Sequence, residues 1–220
     1  LFSMDVVLYD SMKWHSKSGK ETMDEFDIDS TPEECYLYEG MVGHNTINHL
    51  MKREKGREAT QDEKELIYKR KTELFSEYND GSLIPCAYDF VKKISDEGLT
   101  CVLVTGSGQP TLINKLDSNF HGLFHKDRMV TAFDVKHGKP HPEPYLMGLD
   151  KAGCLKPNQA IVVENAPRGV EAAVAAGIFT IAINTGPLPD NVLADAGADI
   201  VLPSMQALYE KWENMRKGMP

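Results

Sequence analysis

Cysteine is scarce: Cys35, Cys86, Cys101 and Cys154 are the four in 220 residues, and none forms a Cys-x-x-Cys pair. That excludes a zinc ribbon or a disulfide-dense secreted scaffold and reads as reduced thiols in a cytoplasmic protein. Positive charge is also in deficit. Asp and Glu number 33 against 24 Lys and Arg, a net charge of −9, which repels a nucleic-acid backbone while leaving room for a small anion in a locally positive site. No run approaches the ~18–20 consecutive apolar residues that a bilayer crossing needs, so no membrane partner is expected. No basic stretch leading into an apolar segment marks a secretion leader. Glycine and proline, 17 and 12 residues, are too few for a collagenous or low-complexity chain. What is present is 41% hydrophobic and 26% charged residues, a composition that folds, at a length for one large domain or a core with a smaller insertion. Leu1 reads as the middle of a strand, so residues upstream of it are expected.

Three textures follow one another. Residues 1–11 are rich in Val and Leu, interrupted by Asp5 and Asp10, and predict a strand running into a turn. Residues 12–81 lack β-branched runs and suit amphipathic helices throughout. Thr31-Pro32-Glu33-Glu34 predicts a helix start with Thr31 as N-cap, and Thr60-Gln61-Asp62-Glu63 a capping box. From Pro85 onward, apolar β-rich runs at 101–104, 160–163, 179–183 and 200–202 alternate with helix-like segments at 109–118, 142–152, 167–176 and 204–215. Continuous apolar strands with crossover helices predict an α/β fold with a Rossmann-like parallel sheet, its ligands at the carboxyl ends of the strands. The helical stretch interrupts that sheet after its first strand, as an inserted lid. The expected organisation is therefore a core of 1–11 plus 82–220 and a helical domain at 12–81.

The residues just beyond each apolar run are then expected to converge on one crevice. They are Ser3 and Asp5, then Thr105-Gly106-Ser107-Gly108, then Lys139-Pro140, then Glu164-Asn165. Carboxylates with an amide oxygen suit a hard cation such as Mg²⁺, which takes one or two carboxylates and keeps several waters. Thr105, Ser107 and the glycine-loosened backbone leading into a helix at Gln109 predict an anion site, and Lys139 would neutralise charge developing during phosphoryl transfer.

These four segments resemble, in order, the four motifs of the haloacid dehalogenase-like phosphohydrolases, in the branch of β-phosphoglucomutase and its phosphatase and inorganic pyrophosphatase relatives with a helical cap. Ser3-Met4-Asp5-Val6 followed by Asp10-Ser11 resembles the first motif, usually Asp-x-Asp-Gly; Val104-Thr105-Gly106-Ser107 the second; Lys139-Pro140 the third; and Glu164-Asn165 the fourth. The resemblance implies an Asp carboxylate that attacks phosphorus and an aspartyl phosphate that water hydrolyses. By position, Ser3 occupies the nucleophile's place and Asp5 is the general acid and base. Thr105, Gly106, Ser107 and Lys139 bind phosphate, and Ser3, Asp5, Glu164 and Asn165 surround Mg²⁺. His15 and Glu39 face the substrate from the cap.

Two residues depart from that motif. Ser3 is neutral where an acid is expected and needs its own base, and Val6 stands where the turn calls for glycine. Losing a nucleophile lowers turnover by roughly 10⁴–10⁶, so the expectation is a phosphohydrolase impaired as written. Gly43 replaces the arginine that in the mutases grips a second phosphate, and Glu39 would repel one. Both disfavour a sugar-phosphate mutase against hydrolysis of pyrophosphate or a small phosphate ester. A non-catalytic phospholigand-binding protein is the alternative from another class. A monomer is favoured.

Other residues have plainer readings. Asp10 is expected to cap the helix that follows, His121 and His125 to be a solvated or partly buried pair, and His137 and His141 to be incidental loop residues beside Lys139. The charged run 63–71 reads as a solvated helix face, and Gly106-x-Gly108 lacks the third glycine of a dinucleotide-binding turn.

Overall fold

The protein is described by a computed structural model covering residues 1–107 and 110–218, without the side chains of 110–112. Gly108 and the expected helix start at Gln109 lie outside the described residues.

Among the described residues, five short parallel strands form the sheet. β1 (Leu103–Val104) pairs with β2 (Met129–Val130), and β3 (Ile161–Glu164) pairs with β4 (Phe179–Ile183), which pairs with β5 (Ile200–Leu202). The N-terminal residues join the two groups. Phe2 bridges Leu103 on one side and Val163 on the other, both in the parallel sense, through Val104 N–H to the Phe2 carbonyl at 2.8 Å and Ser3 N–H to the Val163 carbonyl at 3.0 Å. Ser3 thus sits at the centre of the sheet, in the crevice that an open α/β sheet offers to ligands. The strand predicted over 1–11 is shorter than expected. Beyond Ser3 the chain curls, with the Leu8 and Tyr9 N–H groups returning to the Met4 carbonyl at 2.9 and 3.1 Å around Val6 at φ 61°.

Helices α1 (Met12–Glu25), α2 (Pro32–Leu37), α3 (Gly43–Lys55) and α4 (Gln61–Tyr78) fill the second stretch and pack on one another. Met23, Ile28, Ile47, Leu50, Met51 and Ile67 form their own apolar cluster. Both predicted starts are capping boxes: the Thr31 hydroxyl accepts from Glu34 N–H and the Thr60 hydroxyl from Glu63 N–H, each Glu side chain returning to its cap. Thr60→Ala is expected to cost about 1 kcal/mol of stability, measured as a shift in the urea midpoint at unchanged slope.

The remaining helices flank the sheet: α5 (Ala87–Asp96), α6 (Pro110–Phe120), α7 (Glu143–Lys151), α8 (Pro167–Ala175), α9 (Asp190–Asp195) and α10 (Met205–Gly218). The main core gathers edge-to-face rings, Phe2 against Phe90 and Phe124, and Phe90 against Trp212. α5, α9 and β2 were not anticipated from the sequence. β2 is two residues long, too short for a periodic signal. α5 does carry one, since Ala87, Phe90, Val91 and Ile94 repeat on one face and are buried there.

Candidate active site

A cavity of about 150 Å³ lies between the strand ends and helices α1–α4. Ser3, Asp5, Thr105, Gly106 and Ser107 line it from the sheet, and His15 and Glu39 from the helical side. Seven of the predicted site residues therefore line one cavity. The N–H of Ser107 donates to the Thr105 hydroxyl at 3.0 Å, closing the turn after β1. A Cβ at Gly106 would collide with the Gly40 carbonyl, so only glycine lets the 38–43 loop settle this close to the sheet.

Asp5 is held from two directions. Ser11 Oγ donates to its Oδ1 at 2.5 Å, and His15 Nε2 lies 3.0 Å from the same oxygen. His15 Nδ1 in turn lies 2.6 Å from Lys71 Nζ. One proton arrangement satisfies all three groups: a neutral imidazole that donates through Nε2 to the carboxylate and accepts through Nδ1 from the ammonium. Burial, followed by the Lys71 charge, holds the imidazolium form of His15 down against the pull of Asp5. Burial pushes the Asp5 carboxyl up, yet His15, Ser11 and the Lys71 charge outweigh it and leave it below its usual value. Burial alone brings Lys71 down to about 8 despite Asp5.

Two expectations are corrected here. Asp10 does not cap α1. Ser11 holds that position with its hydroxyl committed to Asp5, and Asp10 pairs with Lys13 at 2.7 Å. Nor is all of 63–71 a solvated face. Lys71 lines the cavity, because it sits four residues from buried Ile67 and four from buried Phe75 on one helical stripe. That spacing was the signal for Lys71. Ser11 and Tyr145 were also missed, and Tyr145 is marked similarly by Leu149 one turn on, both buried.

Lys139 and Glu164 form a wholly buried ion pair beneath Ser3. Lys139 Nζ donates to Glu164 Oε1 at 2.5 Å and to the Val104 carbonyl at 3.1 Å, and lies 3.5 Å from Ser3 Oγ. Tyr145 Oη donates to the same Glu164 oxygen at 2.7 Å, while the N–H groups of Asn165 and Ala166 donate to the other at 2.8 and 3.1 Å. Burial raises the Glu164 carboxyl, but the Lys139 charge and the hydrogen bonds outweigh it and hold it down. With four protein donors on its two oxygens, Glu164 is placed to orient Lys139 rather than to face the cavity. The loop histidines contribute nothing to that orientation: His137 and His141 are exposed and pack on each other, with ring centres 4.8 Å apart. His121 and His125 are exposed as well.

No cluster of three or more His, Cys, Asp or Glu poised for a metal exists among the described residues. The donor set nevertheless fits Mg²⁺, which needs only one or two carboxylates. Asn165 Oδ1 is buried without a hydrogen-bond partner, while Asn165 Nδ2 donates to Glu39 Oε2 at 2.7 Å. Burial and the charge of Asp5 push the Glu39 carboxyl well above its ordinary range, with Glu164 adding to the repulsion. Buried acids that repel one another beside an orphaned amide oxygen form a place where a cation is favourable. Asp5, Asn165 and Glu39 would hold it, with Glu39 in the place expected of Glu164.

An open parallel sheet whose strand ends bring together Asp5, a Thr-Gly-Ser turn and a buried lysine defines a haloacid dehalogenase-like architecture. The chain belongs to the haloacid dehalogenase-like hydrolase family, whose model matches residues 1–183. Hexitol phosphatase A of Escherichia coli (strain K12) is 33% identical over 57% of this chain, which spans 55% of that protein's length. The pyrophosphatase PpaX of Oceanobacillus iheyensis is 21% identical over 94% of this chain and 92% of its own. A solved structure from Bacteroides vulgatus, provisionally described as a β-phosphoglucomutase, is 50% identical with a TM-score of 0.95, over 99% of this chain and 88% of its own.

Proposed function

We propose that this protein is a Mg²⁺-dependent phosphohydrolase acting on a small phosphate ester or pyrophosphate, with residues 12–81 as a cap over a core of 1–11 and 82–220, and that Ser3 leaves it impaired. The observation that carries this reading is the convergence of Asp5, Thr105 and Lys139 around Ser3. Ser3 and Asp5 face the cavity that Thr105 lines, and the Lys139 ammonium lies 3.5 Å behind Ser3. Thr105 and Ser107 bind the transferring phosphoryl oxygens, and Lys139, locked by Glu164, Tyr145 and the Val104 carbonyl, stabilises their charge. Asp5 exchanges the proton of the leaving or attacking oxygen, its carboxylate oriented by Ser11 and the Lys71–His15 pair. Asp5, Asn165 and Glu39 would hold Mg²⁺, which when bound would screen phosphoryl from carboxylate oxygens.

In a phosphate-release panel with Mg²⁺, activity that Lys139→Ala removes would support hydrolysis. Ser3 itself favours a second reading, a phospholigand-binding protein without turnover. Its signature is phosphate binding with no release, both before and after an acid is restored at position 3. Mg²⁺ and inorganic phosphate together are expected to raise the melting temperature, as any ligand confined to the native state does, and EDTA to reverse the shift. Phosphate affinity should also fall as pH rises through about 8, because Lys71 loses its charge there. Lys71→Met should flatten that dependence in a calorimetric titration.

A further inference from the structure

The cavity is larger than its phosphoryl end. Beyond His15 and Lys71 it continues between α1, α3 and α4, where its wall is made by Met23, Ile47, Leu50 and Ile67 with the rings of Tyr38 and Tyr68. Lys71 is the one cation on the described wall that is not shared with the sheet, and its ammonium is committed to His15 at 2.6 Å. Of the acids that line the same cavity, Asp5 and Glu39 stand at its phosphoryl end, and Glu34 is paired with Arg53 and accepts from the Thr31 N–H. Beyond the position of Gly43 the ring of Tyr68 fills the space, since a Cβ there would collide with it. An arginine side chain could not be added at that point without displacing the ring.

These features suit a neutral occupant. A second phosphate would meet aliphatic walls with no free cation among the described residues to pair with, and the desolvation of its charge would go uncompensated. A compact apolar group would instead remove its surface from water against these side chains. We infer that this chamber receives the alcohol part of a phosphomonoester, and that this part is compact, uncharged and largely apolar. The inference rests on the phosphohydrolase reading for the other end of the cavity and narrows its substrate from pyrophosphate or any small ester to this one class.

Phosphonates test it, because their carbon–phosphorus bond survives any turnover. In Mg²⁺, calorimetric dissociation constants of the chain as it stands are compared for methylphosphonate, benzylphosphonate and methylenediphosphonate. Benzylphosphonate is expected to bind at least tenfold tighter than methylphosphonate and tighter than methylenediphosphonate. Leu50→Phe, which fills the chamber, should cut the benzyl-to-methyl ratio to threefold or less, and Thr46→Met on the same wall offers a second filler should the first destabilise α3. Methylenediphosphonate as the tightest ligand, a benzyl-to-methyl ratio near one, or a ratio untouched by both fillers would overturn the inference while leaving the phosphoryl site standing. Failure of all three phosphonates to bind would instead remove the phosphohydrolase reading, and this one with it.

Discussion

Ser3→Asp combined with Val6→Gly is expected to raise phosphate release with Mg²⁺ on the order of 10⁴-fold, the scale on which removing a nucleophile lowers turnover elsewhere. The reason is the absence of a base for the hydroxyl. The side chain 3.5 Å from Ser3 Oγ is the ammonium of Lys139, a donor already bonded to Glu164 and the Val104 carbonyl. Asp5 spends its Oδ1 on Ser11 and His15. A serine in these surroundings keeps its proton, whereas a carboxylate is ionised at neutral pH and gives the site a second acidic oxygen. Val6 enters because its backbone lies at φ 61°. A β-branched residue there is strained by about 1–2 kcal/mol relative to its ordinary regions, a cost that glycine avoids. Ser3→Asp alone should show part of the gain, with the loop still bent around Val6. A folded double variant that releases no phosphate across a broad panel of esters and pyrophosphate would end the impaired-enzyme reading.

Breaking the buried pair has the largest expected effect on stability. Lys139→Met or Glu164→Leu alone leaves an uncompensated charge where both side chains are fully buried, and each should cost about 3–5 kcal/mol. The double variant should recover most of that loss, since an apolar pair of similar volume is often neutral in such a place. A recovery of this size in a double-mutant cycle by urea unfolding would identify the penalty as an orphaned charge, whereas additive losses would contradict it. The pH dependence has a definite sign. Glu164 is held below its ordinary value in the folded protein, so its contribution is complete above the unfolded carboxyl range. It is lost as pH falls through the lower folded value. The Glu164→Leu variant should accordingly lose less stability than the parent over that acidic interval.

Much of the fold was legible because its signals are local. The capping boxes at Thr31 and Thr60 are side chains bonded to their own first turn, and the apolar runs that became β3, β4 and β5 owe their character to burial on both faces of the sheet. Lys71 was misread for the converse reason. Among the charged residues of α4 it looks like its solvated neighbours, and only its register with Ile67 and Phe75 turns it inward. Asp10 was misassigned because a cap and a catalytic neighbour compete for the same short segment. Ser11 gave its hydroxyl to Asp5 and left Asp10 to Lys13.

Taken by itself, the sequence determined which chemical groups stand at the strand ends, and its resemblance to the family's first motif implied that Ser3 and Val6 depart from the usual acid and glycine. The groups themselves are a matter of residue identity at a local spacing. Only the tertiary structure decided how each carboxylate is surrounded. Glu164 and Glu39 carry the same group, but one lies under four donors while the other meets Asn165 among repelling acids. Charge and hydrogen bonding act through space, so the role of an acid follows from neighbours as many as 126 residues away along the chain.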